Sequence, residues 1–496
     1  MATERDKERK MFVGVVWYCA EMKFLLTFFF LVCSLITLLQ FIPSRLALSP
    51  LNLRLCLSNL SNLSSPVAAA PSATEDPVLP VPTTQQRESV TETGVIKRAF
   101  IPYGAAAYLF VQMGAYRGGL NTFAITGLAS KPLHVYGRPL FECKWVPENT
   151  THPTASANGT RILPDWGYGR VYTVVVVNCT FSTDVGSDRS GGKLLLIASS
   201  GGKHPDDIRT EEIVALIEKP GSLNPAIFTS KPTYDYLYCG SSLYGNLSPQ
   251  RIREWIAYHV KLFGRRSHFV IHDAGGVHRE VMEVLQPWIE KGFVTLQDIR
   301  EQERFDGYYH NQFMVVNDCL HRYRFVAKWM FFFDVDEFVY VPRKSTIDSV
   351  VSSLSSYSQF TIEQMPMSGK LCSADDKGRT PRMWVMEKMV YRDVKRGIRR
   401  DRKYAIQPRK VFATGVHMSQ NVVGRTQHKT YRQIMYFHYH GTISYRRDPC
   451  SEFINTTKLT YEGVPYVLDQ TLRGTAALVK RFELKTIGTR LQRTRQ

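Results

Sequence analysis

The sequence predicts an α/β chain in three parts: an N-terminal transmembrane helix, an all-β sandwich, and a Rossmann-like, doubly wound domain. Three observations carry this. One long run near the start has no charge. The middle of the chain has short apolar runs broken by Gly, Pro, Asn and Asp clusters. The second half alternates buried-type strands with stretches of helical periodicity.

The chain has 496 residues, 44% hydrophobic and 22% charged. Such a composition excludes wholesale disorder, a collagen-like repeat and a small disulfide-stapled scaffold. Lys plus Arg is 63 against 44 Asp plus Glu, a formal net charge of +19. A basic balance favours polyanionic partners such as nucleotide phosphate, acidic polysaccharide or an anionic membrane.

Residues 1–23 read as a polar cytoplasmic tail. Residues 24–42, FLLTFFFLVCSLITLLQFI, carry no charge and are long enough to cross a hydrocarbon core as one helix. Lys23 and the basic residues before it put the tail on the cytoplasmic side. The run is long for the core of a cleaved signal peptide, and no small-x-small site closes it. The expectation is a single-pass type II protein. Residues 43–94 are rich in Ser, Pro, Ala and Thr and read as a flexible stem. Asn-x-Ser/Thr occurs at Asn59, Asn62, Asn149, Asn158, Asn178, Asn246 and Asn455, all beyond the apolar run, as a secretory lumen requires. Beyond that run lie Cys56, Cys143, Cys179, Cys239, Cys319, Cys372 and Cys450. In that compartment disulfides form, and the odd count leaves at least one cysteine over. Cys143 with Cys179 is the expected bridge, because both fall in one candidate domain.

Residues 95–230 hold the runs AAYLFVQMG, NTFAITGLA, RVYTVVVVNCTF and GKLLLIAS between turn clusters. This is the pattern of an antiparallel sandwich. Residues 231–496 change texture. YDYLYCG, HFVIHD, FVTLQ and KWMFFFDVDEFVYVP read as strands. SPQRIREWIAYHVKLFG, HREVMEVLQPWIEKG and YYHNQFMVVNDCLHRYR read as helices. Ligands of such a sheet sit beyond the carboxyl ends of its strands.

The chemistry concentrates at Asp334-Val335-Asp336-Glu337. Two Asp separated by one residue point the same way along an extended chain. A lone Asp-x-Asp is common on solvated faces, but this one is flanked by apolar strand sequence on both sides. Carboxylates so placed need a partner, and hard oxygen ligands suit Mn²⁺ or Mg²⁺, which also takes substrate phosphate oxygens.

The segments YCGSSLYGN, IHDAGG, HNQFMVVNDCLHRY, WMFFFDVDEF and YFHYHGT, from about Tyr234 to Tyr445, together resemble the family 92 glycosyltransferases, also called the DUF23 family. The resemblance implies a GT-A (Rossmann-like) glycosyltransferase domain with UDP-galactose as donor and inversion at the anomeric carbon. It implies that β-1,4-galactan side chains of pectin (rhamnogalacturonan I) are the acceptor. It also implies Golgi residence and a front domain that is a carbohydrate-binding module.

Roles follow. Asp334 and Asp336 are the metal carboxylates. A late-strand histidine completes the shell, and the resemblance favours His438 over His440 and His417. Cys239, Asp273 and Gln312, with His310 and Asn311, lie where a nucleotide sugar binds, and Asp334 is shared with that set; Arg409 and Lys410 offer positive charge for a diphosphate. Inversion needs a base. Among Asp375, Asp376, Glu387 and Asp393, Glu387 is favoured because MWVMEKMVY reads as an apolar strand. Trp384 offers a stacking face for sugar, as do Trp145, Trp166, Tyr168 and Tyr172 in the front domain, with Trp166 chosen; core packing is the alternative for each. The run KRGIRRDRK at 395–403 is a basic loop for an acidic pectic backbone or a solvated face. Nucleic acid is not an expected partner of a luminal chain without a nucleic-acid module. The front domain permits a homodimer. The same fold with another UDP-sugar or acceptor, and a non-catalytic glycan-binding or assembly protein, are the competing readings.

Overall fold

The computed structural model describes residues 88–98, 101–103, 108–130, 139–164, 172–200, 208, 210–301, 305, 308–396, 401–444 and 446–494. The expected anchor, residues 43–87 of the expected stem, Cys56, Asn59, Asn62, Trp166 and Tyr168 lie outside them; residues 88–94, expected as the end of the flexible stem, instead form a strand and the turn of a hairpin, because they pair with Ile96–Arg98. Among the described residues no helix is long and apolar enough to cross a membrane.

A short hairpin comes first, β1 (Glu88–Val90) and β2 (Ile96–Arg98). Eight strands follow: β3 (Ile101–Tyr103), β4 (Phe110–Arg117), β5 (Thr122–Ser130), β6 (Leu140–Pro147), β7 (Ala155–Ile162), β8 (Tyr172–Thr180), β9 (Gly192–Ser199) and β10 (Thr210–Glu218). They pair antiparallel in the order β10-β9-β6-β7-β8-β5-β4-β3. The antiparallel, strand-only character is as the sequence predicts. The expected two-sheet sandwich is instead one unbroken sheet that curls. Near the ends of that order, Gln112 Nε2 on β4 donates to Ala215 O on β10 at 2.9 Å, and Arg117 forks onto Glu218 at 2.7 and 2.6 Å. The curl encloses Phe110, Phe123, Phe141 and Trp145 around the Cys143–Cys179 disulfide, the expected bridge.

The second sheet is built on a parallel core: β11 (Tyr234–Leu243), β12 (Ser267–Asp273), β13 (Val294–Asp298) and β14 (Ala327–Phe332). Helices α1 (Pro249–Phe263), α2 (Arg279–Glu290) and α3 (Gln312–Tyr323) connect them. α1 starts where Ser248 accepts the Arg251 N–H and stops at Gly264, φ 79°, the limits its Ser-Pro and Gly signals predict. The strand order β13-β12-β11-β14 reverses beside β11. That reversal is a topological switch point, where ligands of doubly wound sheets bind. Past β14 the sheet becomes mixed. β15 (Glu337–Tyr340), β16 (Gln359–Pro366), β17 (Lys403–Ile406) and β18 (Met435–His438) complete the order β14-β17-β16-β18-β15. The hairpin strand β2 adds parallel to β13 at the other edge.

Two segments depart from the sequence expectation. KWMFFFDVDEFVYVP is two strands, β14 and β15, separated by a turn at Asp334–Asp336. MWVMEKMVY contains a single helical turn, Val385–Lys388, and no strand at that point. Among the described residues three disulfides staple the fold: Cys143–Cys179, Cys239–Cys319 and Cys372–Cys450. Of the sequon asparagines within the described residues, Asn158, Asn246 and Asn455 are exposed and Asn149 and Asn178 half-buried.

α3 lies between the two sheets. Its Met314 and Val315 pack on Val111, Met113 and Leu128, and its other face packs with Leu237, Cys239 and Met330. The main core is aromatic: Tyr238, Trp255 and Phe333 lie within 4.8–5.8 Å of one another, and Phe263 packs on Phe331 at 4.8 Å and reaches Phe333 at 6.4 Å. His259 sits inside it. Its Nδ1 faces Trp255 O at 2.8 Å and its Nε2 accepts the Val339 N–H at 3.2 Å. Burial pushes its pKa down to about 3. Burial, with Arg324 adding to it, does the same to His321. Both are neutral when folded, so their contribution is full above the unfolded value near 6.5. It is lost as pH falls toward 3, at up to about 1.4 kcal/mol per unit for each. The urea midpoint is expected to fall clearly between pH 7 and pH 5, and His259→Gln to flatten that fall.

Candidate active site

A cavity of about 580 Å³ opens at the carboxyl ends of β11 and β14, lined by Ser241, Ser242, Tyr244, Gln312, Asp334, Asp336, Lys403 and His438 among others. It stands at the switch point. β11 is shaped to reach it. Its register against β12 runs Cys239↔Val270 then Ser242↔His272, so one extra residue bulges at Gly240–Ser241. A Cβ on Gly240 would lie 1.6 Å from the Tyr238 hydroxyl, so only glycine fits there. Ser242 Oγ then donates to His310 O at 2.7 Å, and the Tyr244 ring stacks on His310 at 3.7 Å. Tyr309, His310 and Asn311 all hold positive φ, 49° to 57°. Three left-handed residues in succession are strained, and strain of this kind gathers at functional sites.

The acidic turn is closed on itself. The Asp334 N–H donates to Glu337 Oε2 at 2.7 Å, and the Glu337 N–H donates to Asp334 O at 3.1 Å. The Asp carboxylates therefore converge because the chain turns, and not through the alternation of an extended strand. Lys403, at the start of β17 and 3% exposed, puts its Nζ 2.7 Å from Asp334 Oδ2 and 3.7 Å from Glu337 Oε2. Gln312 Nε2 donates to Asp334 Oδ1 at 3.2 Å. Burial alone would raise Asp334, but the Lys403 ammonium outweighs it and holds the carboxyl low. Glu337 is pushed up to about 8, by burial first, against the pull of Lys403.

Antiparallel pairing of β15 with β18 sets Glu337 opposite His438. His438 Nε2 reaches 3.5 Å from Asp336 Oδ1, and Asp336 Oδ2 takes the Gly441 N–H at 3.3 Å. On its other side His438 Nδ1 is 2.7 Å from the Gln364 side-chain amide. The Gln364 amide nitrogen donates to Nδ1, which leaves Nε2–H directed at the Asp336 carboxylate; burial works to lower the His438 pKa, but the hydrogen bond and charge of Asp336 raise it. Among the described residues no three His, Cys, Asp or Glu side chains form a group able to hold a metal ion. Two protein donors opening on a cavity fit Mn²⁺ or Mg²⁺, which is commonly held by one or two protein groups plus substrate phosphates and water.

The remaining expectations fare differently. Asp334, Asp336, Gln312 and His438 converge, with His417 and His440 also on the cavity wall. Cys239 does not face the cavity as a ligand group, because it is bridged to Cys319. Asp273 holds its own loop, accepting the Gly275 and Val277 N–H groups at 2.8 and 3.0 Å. Glu387 does not line the cavity. It caps the Trp384 N–H at 2.7 Å and pairs with Lys480 at 2.5 Å. Asp376 is fully buried on Arg473. Trp384 is 3% exposed, with Lys480 and Arg253 over its ring. Trp145 and Tyr172 are buried in the front sheet. Arg409 ties down backbone, donating to Ser230 O and Phe325 O.

Sequence reasoning missed Lys403, Gln364 and Asp401. The apolar Tyr404-Ala405-Ile406 that follows Lys403 is its one trace in the sequence, and the basic run before it hides that trace.

A doubly wound sheet with an acid-lined cavity at its switch point is the frame of a ligand-binding α/β enzyme. Comparison with known proteins narrows this. Residues 234–494 match Glycosyltransferase family 92. Two Arabidopsis thaliana proteins named galactan beta-1,4-galactosyltransferase, GALS3 and GALS2, are each 57% identical. They cover 99% and 100% of this chain, and 98% and 100% of their own. A beta-1,4-galactosyltransferase of Caenorhabditis elegans, galt-1, is 29% identical over 38% of this chain and 44% of its own. The chain belongs to glycosyltransferase family 92.

Lys403→Met would leave Asp334 and Glu337 facing each other without a cation. Removing one partner of a buried pair costs about 3–5 kcal/mol, so a large drop in the urea midpoint is expected. Glu387→Gln should cost only about 1 kcal/mol, the scale of a lost cap, and leave the transfer rate unchanged.

Proposed function

We propose that this protein is an inverting, metal-dependent β-1,4-galactosyltransferase of GT-A fold. It moves galactose from UDP-galactose onto β-1,4-galactan side chains of pectin. It resides in the Golgi membrane as a single-pass type II protein, with the anchor at residues 24–42 and the catalytic part in the lumen. The observation that carries the reading is the Asp336–His438 pair at the switch-point cavity, backed by Lys403. The names of relatives 57% identical along the whole chain support the sugar and the acceptor, and three disulfides support an oxidising lumen.

Asp336 and His438 would hold the metal. Bound there, Mn²⁺ or Mg²⁺ supplies charge neutralisation for the leaving diphosphate. Lys403 fixes Asp334, and Gln312 orients the same carboxylate. Tyr309, 63% exposed on the cavity wall, offers a face for the base. Asp401 takes the place expected for Glu387. It lines the cavity and pairs with no cation among the described residues. It accepts the proton of the acceptor hydroxyl as that oxygen bonds the anomeric carbon and the bond to diphosphate breaks. One displacement of this kind inverts the centre.

The test incubates the purified protein with Mn²⁺, a labelled galacto-oligosaccharide and each UDP-sugar in turn. Elongation with UDP-galactose alone is expected, and is lost with EDTA or Asp336→Ala. Asp401→Asn should lower kcat by about 10²–10⁴ while UDP still raises the Tm. Elongation from another sugar nucleotide would move the donor, and full activity of Asp401→Asn would remove it as the base.

A further inference from the structure

A second depression, about 860 Å³, adjoins the cavity without belonging to it. It runs between α1, the C-terminal helix α4 (Arg473–Ile487) and the segments around Arg382 and Arg447. Seven basic side chains line it, and Asp448 is its single acid. Asp448 is taken by Lys388 at 3.0 Å. Arg253 is taken by Glu483, Lys480 by Glu387 and Arg446 by Glu280. Arg382, Arg447, Arg481 and Arg493 are exposed, and none makes an ion pair with a carboxylate among the described residues. Between the cations lie apolar patches, Pro381 and the 45% exposed Leu484.

Four uncompensated guanidinium groups in one groove repel one another unless an anion joins them. Guanidinium forks match carboxylates bidentately. The groove also shares a wall with the cavity. Ile443 and Ser444 line the cavity, and Arg446 and Arg447, two and three residues beyond Ser444, line the groove. Arg446 Nη1 donates at 2.9 Å to the carbonyl of Leu247, another cavity residue.

We infer that this groove binds a carboxylated polysaccharide, a polyuronate backbone, and holds it while a neutral side chain growing from it enters the cavity. The inference rests on the proposed acceptor. The three disulfides fit an oxidising compartment, which favours acidic glycan over nucleic acid as the polyanion.

The test uses the full-length protein in detergent and measures binding to polygalacturonate, to neutral galactan and to phosphatidylserine vesicles. Salt-sensitive binding of polygalacturonate is expected. Arg447→Glu with Arg481→Glu should weaken it by about tenfold or more. The same variant should elongate a short neutral galacto-oligosaccharide at the parental rate, and should lose the advantage in KM that a polyuronate-linked acceptor gives the parent. Arg447→Gln with Arg481→Gln, which removes charge without reversing it, should show the same pattern in smaller degree. Unchanged polygalacturonate binding in both variants would overturn the assignment and move it to other basic residues, such as those at 395–403. Binding to vesicles but not to polygalacturonate would overturn it in favour of a membrane face. Polygalacturonate binding that the variants weaken, with no galactose transfer by any form, would sink the proposed function and leave the groove standing.

Discussion

The site depends on a single buried ammonium. Lys403 is 3% exposed and lies against two carboxylates of one tight turn, Asp334 and Glu337. An isolated charge at such a position costs several kcal/mol of desolvation, so neither partner is tolerable without the other. The balance is uneven, since three acids stand near one lysine. Glu337 absorbs the excess: held up to about 8, it remains protonated at neutral pH. Asp334 is then neutralised by Lys403. What is left facing the cavity is Asp336 with His438, the donor pair that suits a divalent ion and a diphosphate. The turn, the lysine and the protonated glutamate together decide which carboxylate is available.

This arrangement is assembled from distant parts of the chain. Ser241 comes from a bulged central strand, Gln312 from the first turn of α3, and Lys403 from an antiparallel strand beside β14. His438 comes from the strand paired with β15. The Cys239–Cys319 disulfide ties β11, just before its bulge, to the body of α3, so Ser241 and Gln312 are positioned by one covalent link. α3 in turn packs on the front sheet through Met314 and Val315. The front sheet therefore buttresses the helix that carries Gln312, whatever it binds on its outer surface.

How far the sequence disclosed this follows from the physics of each element. Strands β11 to β14 and their helices were legible, because buried parallel strands are continuous apolar runs and the helices between them have apolar residues at helical spacing, α1 with a Ser cap as well. Asp334 and Asp336 were legible as chemistry in an apolar setting, and His438 was singled out by the family resemblance. Three features were not. FFFDVDEFVY reads as one strand because its turn contains no Gly or Pro; the turn is closed instead by the Glu337 side chain on the Asp334 amide. Glu387 sits in an apolar run and looked like a buried base, but a lysine 93 residues away claims it. Lys403 ends a run of basic residues that reads as a solvated loop, and only the tertiary fold separates the buried lysine from its exposed neighbours.

The distribution of charge gives the two depressions different chemistry. In the switch-point cavity the cation is buried under the acids, so the surface offered to a ligand is carboxylate and imidazole. In the adjoining groove the order is reversed. Asp448, Glu483 and Glu387 are each held by a cation, and the surface offered is unpaired guanidinium. A chain with a net charge of +19 has spent its acids on internal pairing at this face and left arginine outside. The first surface suits an ion and the diphosphate it accompanies. The second suits a polymer of carboxylates too long to enter the cavity. Ile443 and Ser444 line the first and Arg446 and Arg447 line the second, so the two surfaces are set by neighbouring residues of the chain.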